Sequence, residues 1–124
     1  MRIISPNIHG IVDYLIGFML MISAWIFGYN YGGFAVIIPF ILGFTMILSN
    51  LNTDHRFSLI RLIPMHTHLT IDLIIGIILI ISPWLFGFSY YVYLPHVVFG
   101  LLLIVEYFTT ETTMSEHRQS MRFN

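Results

Sequence analysis

The stretch HGIVDYLIGFMLMISAWIFG at residues 9–28 returns as HLTIDLIIGIILIISPWLFG at residues 68–87. The two copies match at a fixed offset of 59 positions. The shared residues include a histidine, an aspartate, a glycine and a tryptophan: His9, Asp13, Gly17 and Trp25 in the first copy, and His68, Asp72, Gly76 and Trp84 in the second. This pattern indicates an internal duplication and shows which residues the architecture uses twice.

The composition predicts a membrane protein. The chain has 124 residues, of which 57% are hydrophobic and 9% are charged, with a mean hydropathy of +0.86; soluble domains average about 25% charged residues. A soluble domain of this size would expose too much of that apolar surface to water. The chain has no cysteine, which excludes disulfides and thiolate metal sites. The net charge of −1 and the lack of a basic stripe predict no nucleic-acid partner.

Four apolar runs predict the fold: residues 9–27, 33–49, 68–86 and 91–108. At 1.5 Å per residue, runs of about 17–19 residues reach about 26–29 Å, close to the hydrocarbon thickness of a bilayer. Because lipid cannot satisfy backbone polar groups, such runs must be helical. We therefore predict an all-α, integral membrane four-helix bundle.

The duplication predicts how the bundle is organised. Repeat 1 spans about 2–54 and repeat 2 about 61–111, within a single membrane domain 1–124 that ends in a polar tail, 112–124. Each repeat holds two spans, so both copies enter the membrane from the same side. This arrangement gives two tandem hairpins related by a pseudo-two-fold axis along the membrane normal.

The arginines predict the orientation. All five lie at the N-terminus, in the central loop or in the tail, and the positive-inside rule places these segments in the cytoplasm. We therefore expect a multi-pass protein of the cytoplasmic membrane with both termini inside. No signal cleavage is expected after the first span, since its counterpart lies in mid-chain. Residues 56–63 mix arginine with apolar residues and predict a short interfacial helix.

A short motif closes the first helix of each repeat and predicts a structural role. Tryptophan near a helix end favours the lipid headgroup level, and the glycine that follows suits a left-handed C′ position. The serine hydroxyl can bond a carbonyl one turn earlier, which helps the helix tolerate a proline. The motif residues are Ser23, Trp25 and Gly28 in the first copy and Ser82, Pro83, Trp84 and Gly87 in the second.

This motif, S-[AP]-W-x-F-G once per pair of helices, resembles the SPW repeat family of small bacterial membrane proteins. The resemblance covers about 9–49 and 68–108. The second copy reads Ser82-Pro83-Trp84, whereas the first has Ala24 in place of the proline. The resemblance implies a bacterial membrane location and two-helix units. It implies no activity, cofactor or site residue.

The histidine, aspartate and glycine of each copy are spaced by four, which places them on one helix face. Glycine permits close approach of a neighbouring helix, so this face should point into the bundle. In one interpretation the aspartate pairs with its own histidine, its own helix N-terminus and the arginine seven residues before that histidine, and the role is structural. In the other, the two faces meet and form a proton, ion, metal or haem site. Its candidate residues are His9, Asp13, His68, Asp72 and Glu106.

The remaining histidines have simpler interpretations. His96 is predicted to be a single buried or interfacial residue, whereas His55, His66 and His117 are predicted to be solvated.

Sequence patterns of common membrane enzymes, such as HExxH and GxSxG, are absent. We therefore expect a non-enzymatic structural or accessory membrane protein, with no cofactor, lipids as neighbours, and self-association or a place in a larger membrane complex. The alternative is the polar site at the cytoplasmic side, holding a proton, another ion, a divalent metal or haem. Transport would need an oligomer to form a path.

Overall fold

The computed structural model describes residues 4–30, 32–53 and 55–110. Its four helices are α1 (Pro6–Ile26), α2 (Phe34–Leu51), α3 (Met65–Leu85) and α4 (Leu94–Thr109). They confirm the predicted all-α four-helix bundle. Three of them, α1, α2 and α3, are long and apolar enough to cross a membrane, and α4 is a shorter apolar helix of 16 residues.

The observed helix bounds differ from the predicted spans mainly at three starts: α4 begins three residues later than predicted, at Leu94, whereas α1 and α3 begin earlier. Both helices begin three residues earlier than predicted, at Pro6 and Met65. Proline at the first helical position and the hydroxyl of Ser5, which accepts the Ile8 amide at 3.3 Å, start α1. In α3 a proline, Pro64, is itself the N-cap residue, and no side-chain bond caps the helix. The first turns of α1 and α3 contain polar residues, so hydropathy alone does not include these turns in the predicted spans.

The closing motif forms the predicted helix ends. Gly28 and Gly87 follow α1 and α3 with φ angles of 75° and 76°, the left-handed conformation of a C′ glycine. The hydroxyls of Ser23 and Ser82 donate to the carbonyls of residues three positions earlier, both at 2.9 Å. Both structural predictions are confirmed.

Paired glycines bring the helices of each hairpin together. A Cβ added at Gly43 of α2 would lie 2.5 Å from the Gly17 carbonyl of α1. One added at Gly100 of α4 would lie 2.6 Å from the Gly76 carbonyl of α3. Gly17 and Gly76, the glycines of the predicted polar faces, therefore permit close approach of a neighbouring helix, as expected. The neighbour is the other helix of the same hairpin.

The two hairpins meet through the start of one and the end of the other. The Ile4 amide donates to the Thr109 carbonyl at 2.9 Å, so the chain before α1 joins the end of α4. Isolated parallel bridges link Ile4 with Thr110 and Thr53 with Ile63, so the chain before α3 likewise joins the end of α2. The equivalent contacts in both halves match the predicted pseudo-two-fold arrangement.

The bundle interior changes character along its length. Its middle is apolar, with Leu20, Met46, Leu79 and Leu103 fully buried. Towards the short loops, small and aromatic residues pack together, among them Ala24, Tyr29, Ala35 and Phe88. The opposite end, where α1 and α3 begin, is polar. The outward faces carry exposed Leu, Ile and Phe, the surface expected of a bundle in lipid.

Two prolines inside helices leave carbonyls that side chains satisfy. Pro39 has no amide hydrogen, so it cannot bond the carbonyl of Ala35 four residues earlier. His96 of α4 supplies the missing donor, with its Nε2 2.9 Å from that carbonyl. The Ser82 hydroxyl donates to the Leu79 carbonyl, which Pro83 leaves without an amide donor. His96 is buried, as predicted, and ties α4 to α2.

This pairing predicts a thermodynamic coupling. His96→Leu should destabilise the bundle by about 1–3 kcal/mol, because it leaves a buried carbonyl without a donor. Pro39→Ala restores the amide, so the double variant should lose less than the two single losses combined, with a coupling of about 0.5–3 kcal/mol. Thermal unfolding in detergent measures all three variants. The exposed His66→Leu is the control, and additive losses would contradict the assignment.

The central loop differs from its prediction. Residues 56–63 form no helix; they are irregular, and the amides of Leu59 and Ile60 both bond the Leu51 carbonyl at 3.0 Å. The end of α2 offers free carbonyls that the loop backbone can reach, and Leu62 and Ile63 bond Asn52 in the same way. An apolar pattern alone does not reveal such long-range bonds. Leu59 and Leu62 remain exposed.

Candidate polar centre

A buried cluster joins the two hairpins at their polar end. It consists of His9 and Asp13 from α1 and His68 and Asp72 from α3, all 0% exposed. One ligand atom from each residue, an imidazole nitrogen or a carboxylate oxygen, lies within 4.8 Å of the other three. The two predicted polar faces therefore meet. We call these four residues the polar centre.

The shortest contacts in the polar centre cross between the hairpins. His68 Nε2 lies 2.5 Å from Asp13 Oδ2, and His9 Nε2 lies 2.8 Å from Asp72 Oδ2. Within each helix, the histidine and aspartate four residues apart are 3.1 Å from each other. Each carboxylate therefore binds both histidines, most closely the one from the other hairpin. The local pairing expected from the spacing is present, but it is the longer contact.

The other nitrogen of each histidine is held by hydroxyl groups. His9 Nδ1 lies 2.9 Å from Thr110 Oγ1. His68 Nδ1 lies 2.9 Å from both Thr53 Oγ1 and Ser49 Oγ. These hydroxyls come from the ends of α4 and α2, so each histidine is held by the end of the other hairpin's second helix.

The hydroxyl bonds assign the proton on each Nδ1. Thr53 and Thr110 donate their single hydroxyl hydrogens to backbone carbonyls, those of Ser49 and Glu106, both at 2.6 Å. A threonine whose hydrogen is already used can only accept from the imidazole. Both Nδ1 atoms therefore carry hydrogen. Each Nε2 points at the carboxylates and either carries a second proton or offers a lone pair to a cation.

Glu106 extends the polar centre on one side only. It is 6% exposed, and its Oε2 lies 3.9 Å from His9 Nδ1. Ser49 holds the equivalent place beside His68. The inner four residues and the two threonines thus repeat in both hairpins, whereas Glu106 and Ser49 differ. Glu106 therefore lies beside the polar centre, next to His9, and its part in a site stays a prediction.

Several buried oxygens in this region lack hydrogen-bond partners within the described residues: Asp13 Oδ1, Asp72 Oδ1, and Oε1 and Oε2 of Glu106. An uncompensated buried carboxylate oxygen is costly in a low-dielectric interior. The arrangement can therefore bind protons or a small cation. All four side chains of the polar centre are fully buried.

His55 was predicted to be solvated, and that prediction is wrong. Its ring is 1% exposed and packs over Gly10, where an added Cβ would lie 2.8 Å from the imidazole. Its Nε2 bonds Asn50 Oδ1 at 2.7 Å, and its Nδ1 accepts the Phe57 amide at 3.1 Å. Burial lowers the pKa of His55, which keeps this imidazole neutral. The central loop thus covers α1 one turn from the polar centre.

Other predicted residues fall as follows. His66 is exposed, as predicted, whereas His117 and the tail lie outside the described residues. Trp25 and Trp84 are 59% and 58% exposed at the ends of α1 and α3, and their anchoring at the headgroup level stays a prediction. Of the two arginines offered as partners for the aspartates, Arg61 is exposed and Arg2 lies outside the described range.

The hydroxyl groups around the histidines were not predicted from the sequence. Thr53 lies four positions after Ser49, and Thr110 lies four positions after Glu106. Two threonines at matching places near the ends of the second spans were therefore the available signal. Asn50, whose side chain donates to the Gly10 carbonyl at 2.7 Å, had no counterpart to draw attention to it.

The fold and the polar centre define a class: a membrane protein built from two helical hairpins that enclose a buried His/Asp cluster. The model of the SPW repeat domain matches residues 7–108, so the chain belongs to the SPW repeat family. Comparisons with curated proteins and with solved structures find no match.

Proposed function

We propose that this membrane protein has a non-enzymatic, structural or accessory role in the bacterial cytoplasmic membrane. The enclosure of the polar centre carries the proposal: four side chains at 0% exposure can hold the hairpins together or hold an ion, but cannot meet a larger substrate. The outward apolar faces provide broad surfaces for lipids, for a second copy or for a larger complex.

The orientation proposed for this role puts both termini and the polar centre at the cytoplasmic side. The arginines of the central loop support it, since Arg56 and Arg61 lie between α2 and α3 at the polar end of the bundle. The opposite loops, 27–33 and 86–93, carry no formal charge. Tyrosines there, including Tyr90 at 85% exposure, suit an interfacial position.

Single-cysteine variants test the orientation and the assembly together, because the natural chain has no cysteine and gives no background. In intact cells, a membrane-impermeant maleimide should label Tyr90→Cys, and should label His66→Cys only after permeabilisation. A bis-maleimide should cross-link Tyr90→Cys into dimers or larger species in native membranes. The opposite labelling pattern would contradict the orientation.

The accessory role also predicts a size. In mild detergent, the wild-type chain should migrate in a complex larger than one 14.4 kDa chain with its detergent. A monomer in mild detergent, with no cross-linked species in the membrane, would contradict an accessory role.

A second candidate function is the handling of a proton, ion, metal or haem at the polar centre. The unpartnered buried oxygens of Asp13 and Asp72 favour this function. If the cluster were purely structural, apolar residues of similar volume would cost less free energy of folding. Ionisable residues inside a membrane bundle are by default candidates for a functional site. The carboxylates fill the space between the two imidazoles, which favours a small cation over haem.

A further inference from the structure

We infer that the polar centre is a binding site for one divalent transition-metal ion, ligated by His9 Nε2, His68 Nε2, Asp13 Oδ2 and Asp72 Oδ2. This inference rests on the second candidate function and names its ion. Four ligand atoms of the right kind converge from two helices, and each lies within 4.8 Å of the others.

The hydrogen bonds around the histidines support metal ligation. In metal sites, a ligating histidine usually donates its other N–H to an oxygen, which fixes the tautomer and aims the free nitrogen at the metal. Here the hydroxyls of Thr53 and Thr110 receive the Nδ1 hydrogens of His68 and His9. Their own hydrogens are committed to backbone carbonyls, so the orientation is fixed.

The spacing of the ligand atoms fits a single ion. Their nitrogen–oxygen separations are 2.5, 2.8, 3.1 and 3.1 Å. Tetrahedral ligation with bonds of about 2.0–2.2 Å places neighbouring ligand atoms roughly 3.3–3.6 Å apart. A lengthening of roughly 0.2–1.1 Å in each contact therefore opens the cluster to tetrahedral geometry.

Charge balance supports a divalent ion. Asp13 and Asp72 together carry two negative charges in an interior with no exposed surface. One divalent cation with two neutral imidazoles makes the group neutral, which a bilayer interior favours. A second observation points the same way: each aspartate has a buried Oδ1 with no hydrogen-bond partner in the described part of the chain. A cation bound between the two carboxylates would offset the cost of burying these oxygens.

The donor set narrows the choice of ion. Two imidazoles and two carboxylates suit Zn²⁺, Mn²⁺ or Fe²⁺. Ca²⁺ and Mg²⁺ prefer shells made entirely of oxygen, and Cu⁺ prefers the sulfur ligands that this centre lacks. Glu106 Oε2 lies 3.9 Å from His9 Nδ1, the nitrogen that does not face the two carboxylates, so Glu106 is not among the four ligands of the inference.

The test uses the full chain, purified in mild detergent with a chelator, desalted and incubated with Zn²⁺, Mn²⁺ or Fe²⁺ in separate samples. Elemental analysis after a second desalting should find about one ion per chain for at least one of these metals. The double variant Asp13→Asn with Asp72→Asn should retain less than a tenth of it. His66→Ala, an exposed histidine at the start of α3, should retain all of it.

A second pair of substitutions keeps the test decisive if the double aspartate variant does not fold. Thr53→Val with Thr110→Val keeps all four ligands and should weaken metal binding about 10–100-fold, as loss of ligand-orienting hydrogen bonds does elsewhere. Metal should also raise the melting temperature of the wild-type chain but not of the ligand variant.

Two outcomes would overturn the metal inference. One is a wild-type chain that takes up none of the three metals. The other is equal metal retention by the wild type and the aspartate variant, which would place the ion elsewhere. Because assembly is measured by cross-linking in native membranes and metal binding by elemental analysis of the purified chain, failure of the metal site and failure of the accessory role give different results.

Discussion

Asp13→Ala is expected to lower the free energy of unfolding by about 3–5 kcal/mol, the usual cost of breaking a buried charge pair from one side. The aspartate lies 2.5 Å from His68 Nε2 and 3.1 Å from His9 Nε2, so its loss leaves one carboxylate for two histidines. Asp72→Ala should cost a similar amount, since its oxygen lies 2.8 and 3.1 Å from the same nitrogens. Thermal unfolding of metal-free protein in detergent measures both.

The matched control is Thr70→Val in α3. Thr70 is exposed and bonds the backbone of its own helix, so its replacement should change stability by no more than about 0.5 kcal/mol. A further variant replaces all four residues of the polar centre by apolar ones of similar volume. It should lower the free energy of unfolding by less than Asp13→Ala alone, because it leaves no buried charge without a partner. Equal unfolding of Asp13→Ala and wild type would show that the cluster does not join the hairpins.

Gly43→Ala is expected to destabilise the bundle by about 1–3 kcal/mol, the usual cost of overpacking. The new Cβ would lie 2.5 Å from the Gly17 carbonyl, and a backbone atom cannot turn aside as a side chain can. On helix propensity alone, the same change would stabilise the helix by roughly 0.5–1 kcal/mol. The sign of the effect therefore distinguishes helix packing from propensity.

Two comparisons sharpen the Gly43 experiment, all measured by thermal unfolding. Gly17→Ala should cost less, because its Cβ would first meet the flexible Ile47 side chain at 2.9 Å and the Gly43 carbonyl at 3.0 Å. Ile41 lies on an exposed face of α2, so Ile41→Ala should have little effect on the packing between α1 and α2. A higher melting temperature for Gly43→Ala would mean that α1 and α2 are not in backbone contact.

Much of the fold could be predicted because its signals are local. Length and hydropathy indicate spanning helices, since a helix must satisfy its own backbone groups in lipid. The left-handed glycines, Gly28 and Gly87, follow from a motif that needs only its own residues. The central loop could not be predicted in this way. Its amides bond the end of α2, and His55 packs over Gly10, contacts that depend on how distant segments are brought together.

The candidate site was predicted in part. Spacing by four places His9 and Asp13 on one face, and duplication gives the same face in α3. Spacing could not decide whether each aspartate would bind its own histidine or the other hairpin's. The hydroxyls of Thr53 and Thr110 were not predicted, because threonine near a helix end has many uses.

The sequence by itself determined the four helices, the doubled unit and the residues that a membrane bundle would have to bury, because hydropathy, turn chemistry and helical spacing act over a few residues. Only the tertiary structure decided which polar groups meet. The polar centre joins α1 to α3 across 59 positions of chain, and hydroxyls from the ends of α2 and α4 orient its imidazoles. Helix packing sets those contacts, and packing depends on all four helices at once.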